Sequence, residues 1–99
     1  GGAAQQEQPA HTDFSKEELE SFAKASLEVE RINEKWVAQI AEATSEEEGK
    51  QMRDQAVQEM SAAIKDEGLT VDTYNSIFAA AEGNPEIASR IKDYREQHR

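Results

Sequence analysis

Apolar residues recur at steps of three and four along the first part of the chain: Leu19, Phe22, Ala25, Val29, Ile32, Trp36, Val37 and Ile40. That spacing places one apolar stripe on one side of an α-helix. The rhythm returns in Met52, Ala56, Val57, Met60, Ala63 and Ile64, then in Tyr74, Ile77, Phe78 and Ala81, and again in Ile87, Ala88, Ile91 and Tyr94. β-branched residues are sparse, and no alternating run of the kind a half-buried strand needs reaches five residues. The pattern predicts four helices and no sheet.

Caps and breakers sit between the periodic segments. Ser15 and Glu18 have the spacing of a capping box, with Phe14 placed ahead of them as a hydrophobic staple. Helix 1 is expected from Lys16 to about Ala43, a length of about 40 Å and more than a small core needs. Ser45 with Glu48 repeats the box and opens helix 2, which runs to about Glu67; Glu46, Glu47 and Glu48 suit the positive end of its dipole. Gly49 sits early in that helix at some cost. Gly68 is expected to end helix 2 in a left-handed cap, with Leu69 folding back over the last turn. Thr70 caps helix 3, expected over Val71 to Glu82, and Gly83 ends it. Asn84 then caps helix 4, with Pro85 at the first position, and this helix runs to about Gln97. Residues 1–13 are polar, contain Pro9 and lack periodicity, so they read as a disordered leader. Residues 14–97 read as a single helical domain. The fold class expected is all-α: a small four-helix domain with a long first helix, an antiparallel second helix and two short C-terminal helices.

Charge narrows the function. In 99 residues there are 21 Asp and Glu against 11 Lys and Arg, a formal net charge of −10. Nucleic acid is then a poor partner, because binding phosphates depends on Lys and Arg displacing counterions. An anionic membrane surface is disfavoured for the same reason. No cysteine is present, which excludes disulfides, thiol catalysis and thiolate zinc sites. No apolar run is long enough to insert in a membrane. Gly1-Gly2 reads as a cloning scar, and Ala3-Ala4-Gln5-Gln6 resembles the start of a chain after signal-peptide removal. A periplasmic or secreted location is expected on that basis.

Candidate chemistry is thin. His11 falls in the leader and His98 beside the last residue, neither placed to be held as a base or metal ligand. Glu46-Glu47-Glu48, with Asp54 and Glu59 beyond, lacks the alternating oxygens and central glycine of a calcium loop. Ser15 and Ser45 are already used as caps, and neither a phosphate-binding glycine loop nor a nucleophile elbow occurs. Tyr74 and Asn75 are a candidate polar pair, read as structural: the ring packs in the core, its hydroxyl finds a partner at the edge, and Asn75 bonds across to a neighbouring element. The long stripe of helix 1, with Phe22, Val29, Ile32, Trp36 and Ile40, is the candidate interaction surface if the shorter helices leave it uncovered.

The segment from Phe14 to Ala25, FSKEELESFAKA, resembles the opening of a bacterial family of unknown function, domain of unknown function 4168. Glu67 to Asn75, EGLTVDTYN, resembles its acid-Gly-Leu-Ser/Thr-x-x-x-Tyr-Asn turn into a helix, and Asn84 to Ile91 resembles its closing segment. The resemblance implies an all-helical exported domain and carries no catalytic residues.

The reading is a non-enzymatic, exported interaction or structural module, with an unidentified protein partner or with itself as a homodimer through helix 1. An ATP-independent periplasmic chaperone or stress protein is one alternative, with Met52 and Met60 as adaptable apolar positions. A binder of a small ligand or cation is the other. No catalytic residue, metal ligand or cofactor is assigned.

Overall fold

Four helices follow one another in this computed structural model, which describes residues 13–99: α1 (Lys16–Ala41), α2 (Glu46–Asp66), α3 (Val71–Gly83) and α4 (Pro85–His98). The expected leader, with His11, lies outside the described residues apart from Asp13. The fold is all-α.

Each helix starts where its cap dictates. The Ser15 hydroxyl accepts the Glu18 N–H at 3.0 Å, and the Glu18 carboxylate accepts the Ser15 N–H at 2.9 Å, so the first capping box is complete. Phe14 packs against the core from just before it. The second box is only half formed. Ser45 Oγ accepts the Glu48 N–H at 3.1 Å, but the Glu48 carboxylate reaches one residue farther back, to the N–H and hydroxyl of Thr44. These bonds hold the Glu48 carboxyl below the usual glutamate range, the Thr44 backbone N–H contributing most. Helix 1 ends two residues before the expected Ala43, because the N–H groups of Glu42 and Ala43 tighten onto the carbonyls of Gln39 and Ile40.

At the end of α2, Gly68 adopts φ +87°. Its N–H donates to Lys65 and that of Leu69 to Ile64, the double closure of a Schellman motif. Leu69 is thereby turned into the core. Thr70 caps α3 by accepting the Thr73 N–H at 3.0 Å. Between α3 and α4 there is a single residue, Asn84, in extended backbone with φ −136° and ψ 102°. Its side-chain oxygen accepts the N–H groups of Glu86 and Ile87. One residue thus ends one helix and caps the next.

Helices α1 and α2 form an antiparallel hairpin: Lys24 pairs with Glu67, and farther along α1 Lys35 pairs with Glu59, farther back along α2. At 1.5 Å per residue α1 is about 39 Å long, while α3 and α4 are each about 20 Å. The short helices therefore cover only one end. There Leu19, Phe22, Ala23 and Ala25 meet Ile64, Leu69, Ile77, Ile87 and Ile91 in one core. The rest of the hairpin projects as a two-helix arm, and the molecule measures 56 × 30 × 22 Å.

This division explains which apolar positions of the periodic stripes stay uncovered. Val37 and Val57 belong to the apolar stripes of α1 and α2 and are 55% and 59% exposed. Ser26, Glu30, Asn33 and Val37 follow one another at steps of four, three and four, and so share a face of α1. Arg95 of α4 reaches Ser26 and Glu30 on this face, while Val37, farther along α1, stays uncovered. Likewise Ile64, Met60 and Val57 share a face of α2, and only Ile64 lies deep in the core. Phe78 and Ala88 are also exposed, for a different reason taken up below.

Gly49 is buried in the first turn of α2. A Cβ built there would meet only Ala43 and the flexible end of Arg53 at ordinary contact distance, 3.8 and 3.5 Å. Its φ is not in the left-handed region, so nothing requires glycine. The substitution Gly49→Ala is expected to stabilise the fold by about 0.5–1 kcal/mol through lower chain entropy in the unfolded state. Thermal unfolding should show the midpoint rising by a few degrees; an unchanged or lower midpoint would mean that the glycine is needed.

Candidate functional site

Tyr74, Phe78, Ala81 and Glu82 lie on one side of α3, a quarter-turn from the buried Ile77. That side does not close onto its neighbours. Between it, α1 and α4 runs a cleft of about 440 Å³, lined by Phe22, Val29, Tyr74, Phe78, Ile91 and Ala88 among others. Its apolar walls explain the two exposed positions noted above. Phe78 is 53% exposed because it stands at the mouth rather than in the core. Ala88 is exposed because the cleft separates it from α1.

Aromatic packing forms the floor. The rings of Phe22 and Tyr74 stack with centroids 4.5 Å apart and planes at 30°. Burial pushes the Tyr74 phenol above its usual pKa; Arg95 pulls the other way and Glu30 adds slightly to the rise.

One polar chain closes the rim. The Ser26 hydroxyl, buried on α1, donates to the Ala23 carbonyl at 2.8 Å. The same oxygen accepts a bond from the Arg95 guanidinium at 2.5 Å, and Arg95 also pairs with Glu30 at 2.7 Å. The buried hydroxyl is thus satisfied on both sides, and the guanidinium spans from α4 to two residues one turn apart on α1. Three charged groups line the cleft: Glu30, Arg95 and Glu82. Arg95 and Glu30 neutralise each other, whereas Glu82 has no ion-pair partner among the described residues.

The candidate residues named from sequence are placed differently. Of the helix 1 stripe, Phe22 and Trp36 are buried, and Val29, Ile32 and Ile40 are half-buried. Trp36 is turned into the hairpin, where its indole Nε1 donates to the Glu59 carboxylate at 2.9 Å. Lys35 pairs with the same carboxylate at 3.1 Å and lies 5.2 Å from the indole ring centre. Only Phe22 and Val29 of the stripe reach the cleft. Tyr74 is half-buried with its ring on Phe22, and Asn75 is exposed and makes no bond to another element among the described residues. His98 bonds to Glu20 at 2.9 Å, tying the end of α4 to α1 and holding the Glu20 carboxyl below its usual range. Among the described residues no group of three or more His, Cys, Asp or Glu could hold a metal ion. No described helix is long and apolar enough to cross a membrane.

Sequence reasoning missed Phe78, Ser26, Arg95 and Glu82 as site residues. Phe78 fits the helical spacing of a core position, so its register pointed inward. Arg95 and Ser26 are 69 residues apart and no local pattern links them.

A small antiparallel hairpin closed at one end by two short helices is the class this geometry defines. Residues 15–91 match the family described as a domain of unknown function (DUF4168), and the chain belongs to that family. No curated protein and no solved structure matches the chain.

The Trp36–Glu59 bond has a pH signature. The indole N–H and, after it, the Lys35 ammonium hold the Glu59 carboxyl below its usual range. A depressed folded pKa gives stabilisation that is fully present above the unfolded glutamate value and is lost as pH falls through the folded one. Fluorescence of Trp36, the single tryptophan, should therefore change with a midpoint on the acid side of an ordinary glutamate. In Glu59→Gln that transition should vanish. A midpoint at or above the ordinary value would contradict the bond.

Proposed function

We propose that this protein is a non-enzymatic interaction module, exported by a bacterium, that seats an apolar side chain of a protein partner in the α1/α3/α4 cleft. The observation that carries the reading is Phe78, a large ring more than half exposed at the mouth of an apolar cleft on a strongly acidic molecule. Exposed aromatic rings beside a pocket are what partner side chains bury against.

The polar groups of the cleft support binding over catalysis. A nucleophilic serine needs a base to take its proton, and the Ser26 proton is given to a backbone carbonyl. The Tyr74 phenol is pushed away from neutral pH rather than toward it. Arg95 and Glu30 are engaged with each other. Export and bacterial origin rest on the resemblance of three segments to an exported bacterial family.

Self-association is a second reading, favoured by the exposed Val37 and Val57 on the arm. It would use that uncovered face rather than Trp36, which is turned into the hairpin.

A photocrosslinking residue placed at position 78 in the exported protein, in cells, should capture one recurrent partner. The substitution Ala88→Trp, which puts bulk into the cleft from an exposed position, should abolish that product while helicity by circular dichroism is kept. The same crosslinker at position 37 should give little. Products from position 37 at twice the chain mass, with none from position 78, would replace the cleft reading with self-association through the arm.

A further inference from the structure

The cleft has an electrical character of its own. Helix α3 ends beside it: Ala81 and Glu82, in the last turn, line its wall. The last carbonyls of a helix carry a partial negative charge unless donors close onto them. At the ends of α1 and α2 the cap N–H groups fold back onto the final turn. At the end of α3 this does not happen. Asn84 leaves in extended backbone, and no backbone N–H of the next residues returns to α3 among the described residues. There is also no basic residue in the last turn of α3. Glu82 adds a full negative charge at the same place. Across the cleft Arg95 is matched by Glu30, and the positive end of α4, one residue on, offsets the end of α3 in part, so the lining charge left over is the unpaired carboxylate of Glu82.

Apolar walls with such a rim fit a particular kind of segment. We propose that the partner chain recognised by the cleft is basic: an apolar or aromatic side chain enters between Phe22, Tyr74, Phe78 and Ile91, and a flanking lysine or arginine lies over Glu82 and the carboxyl end of α3. This rests on the cleft reading above and adds the charge of the occupant. A cation there meets Glu82, the open carbonyls of α3 and the face of the Phe78 ring, each of which attracts positive charge. Free N–H donors on the cation can also satisfy the carbonyls that α3 leaves open. An acidic segment would meet the same groups with the opposite sign, in a field set by a net charge of −10.

The test uses three short capped peptides with the same leucine–phenylalanine centre, flanked by lysines, by glutamines or by glutamates. Binding is read from backbone amide shifts of the isotopically labelled full chain. All three series are run at low and moderate salt, because a pair at the protein surface is screened over about 10 Å at 0.1 M ionic strength. The lysine peptide is expected to bind about tenfold more tightly than the glutamine peptide, a ratio in the range of one close surface pair, with the glutamate peptide weakest. Shifts should centre on Tyr74, Phe78, Glu82 and Ala88. Glu82→Gln should bring the lysine peptide down toward the glutamine peptide and leave the glutamine peptide unchanged. Glu47→Gln, which removes an equal charge from the first turn of α2, should leave the ratio in place.

Equal binding of the lysine and glutamine peptides in the cleft would overturn the basic-partner inference and leave the cleft reading standing. So would an equal loss of preference in both variants, since the general charge of the molecule would then be the cause. Failure of all three peptides to move cleft resonances would overturn the cleft reading itself and the inference with it.

Discussion

The structure depends on a mismatch of helix lengths. A hairpin of two long helices exposes one continuous apolar face, and whatever follows in the chain must cover it or leave it in water. Here α1 has 26 residues and α2 has 21, but α3 and α4 have only 13 and 14. Two helices of that size, joined by one residue, can close one end of the hairpin and no more. The core is accordingly built at that end, from the first three turns of α1. The arm holds together by other means. Its seam uses small residues on α2, with Gly49 and Ala56 buried, and on α1 the half-buried Ile32 and Ile40 with one buried large residue, Trp36, fixed in orientation by Glu59. A polar handle on a mostly apolar ring suits a seam only one helix wide, where one edge must always face water.

The cleft is a second consequence of the same economy of chain. A single-residue corner at Asn84 forces α3 and α4 apart in direction as soon as they separate, because the extended backbone there cannot continue the helix. Ile77, Ile87 and Ile91 can still meet in the core. Tyr74 and Phe78 sit one helical step round from Ile77 and cannot be covered by a helix that has already turned away. Arg95 limits how far the gap opens. It is pinned on α1 at two points, so the two helices are braced across the rim by hydrogen bonds rather than by packing. Charge-assisted bonds of this sort are stronger than neutral ones and more directional, which suits a brace beside an open space.

How much of this the sequence discloses follows from how local each cause is. Caps act within three or four residues, so Ser15, Ser45, Gly68, Thr70 and Asn84 all announce themselves, and the helix boundaries with them. Glu48 shows the limit even there. Two acceptable donors, at Thr44 and at Ser45, compete for one carboxylate, and spacing alone does not choose between them. Apolar periodicity identifies the side of a helix that will be buried if anything is available to bury it. It does not say how far along the helix the neighbours extend. Val37 and Val57 have the right register and lack a cover, which is a fact about α3 and α4 rather than about their own segments. Trp36 illustrates the converse: it reads as a binding anchor, yet an acid 23 positions away in the chain claims its N–H. The candidate site was least legible because it is made of gaps between elements, and a gap has no sequence pattern.

Acidity and uncovered apolar surface belong together in this molecule. An arm with exposed valines and an open cleft would, on a neutral protein, invite self-association through any apolar contact. Acidic residues outnumber basic ones along both arm helices, so two copies approaching arm to arm bring like charges together. That repulsion is long-ranged compared with the apolar contact it opposes, and it acts before the surfaces meet. The same charge does not oppose a basic segment, for which the approach is downhill. A surface that is apolar at short range and acidic at long range therefore repels its own copies before apolar contact can form. Three of the pairs that offset charge, Lys24 with Glu67, Lys35 with Glu59 and Arg95 with Glu30, join one helix to another, while others, such as Lys50 with Asp54, lie within a helix. What remains unpaired at the rim of the cleft is Glu82, and it stands where α3 leaves its own carbonyls open.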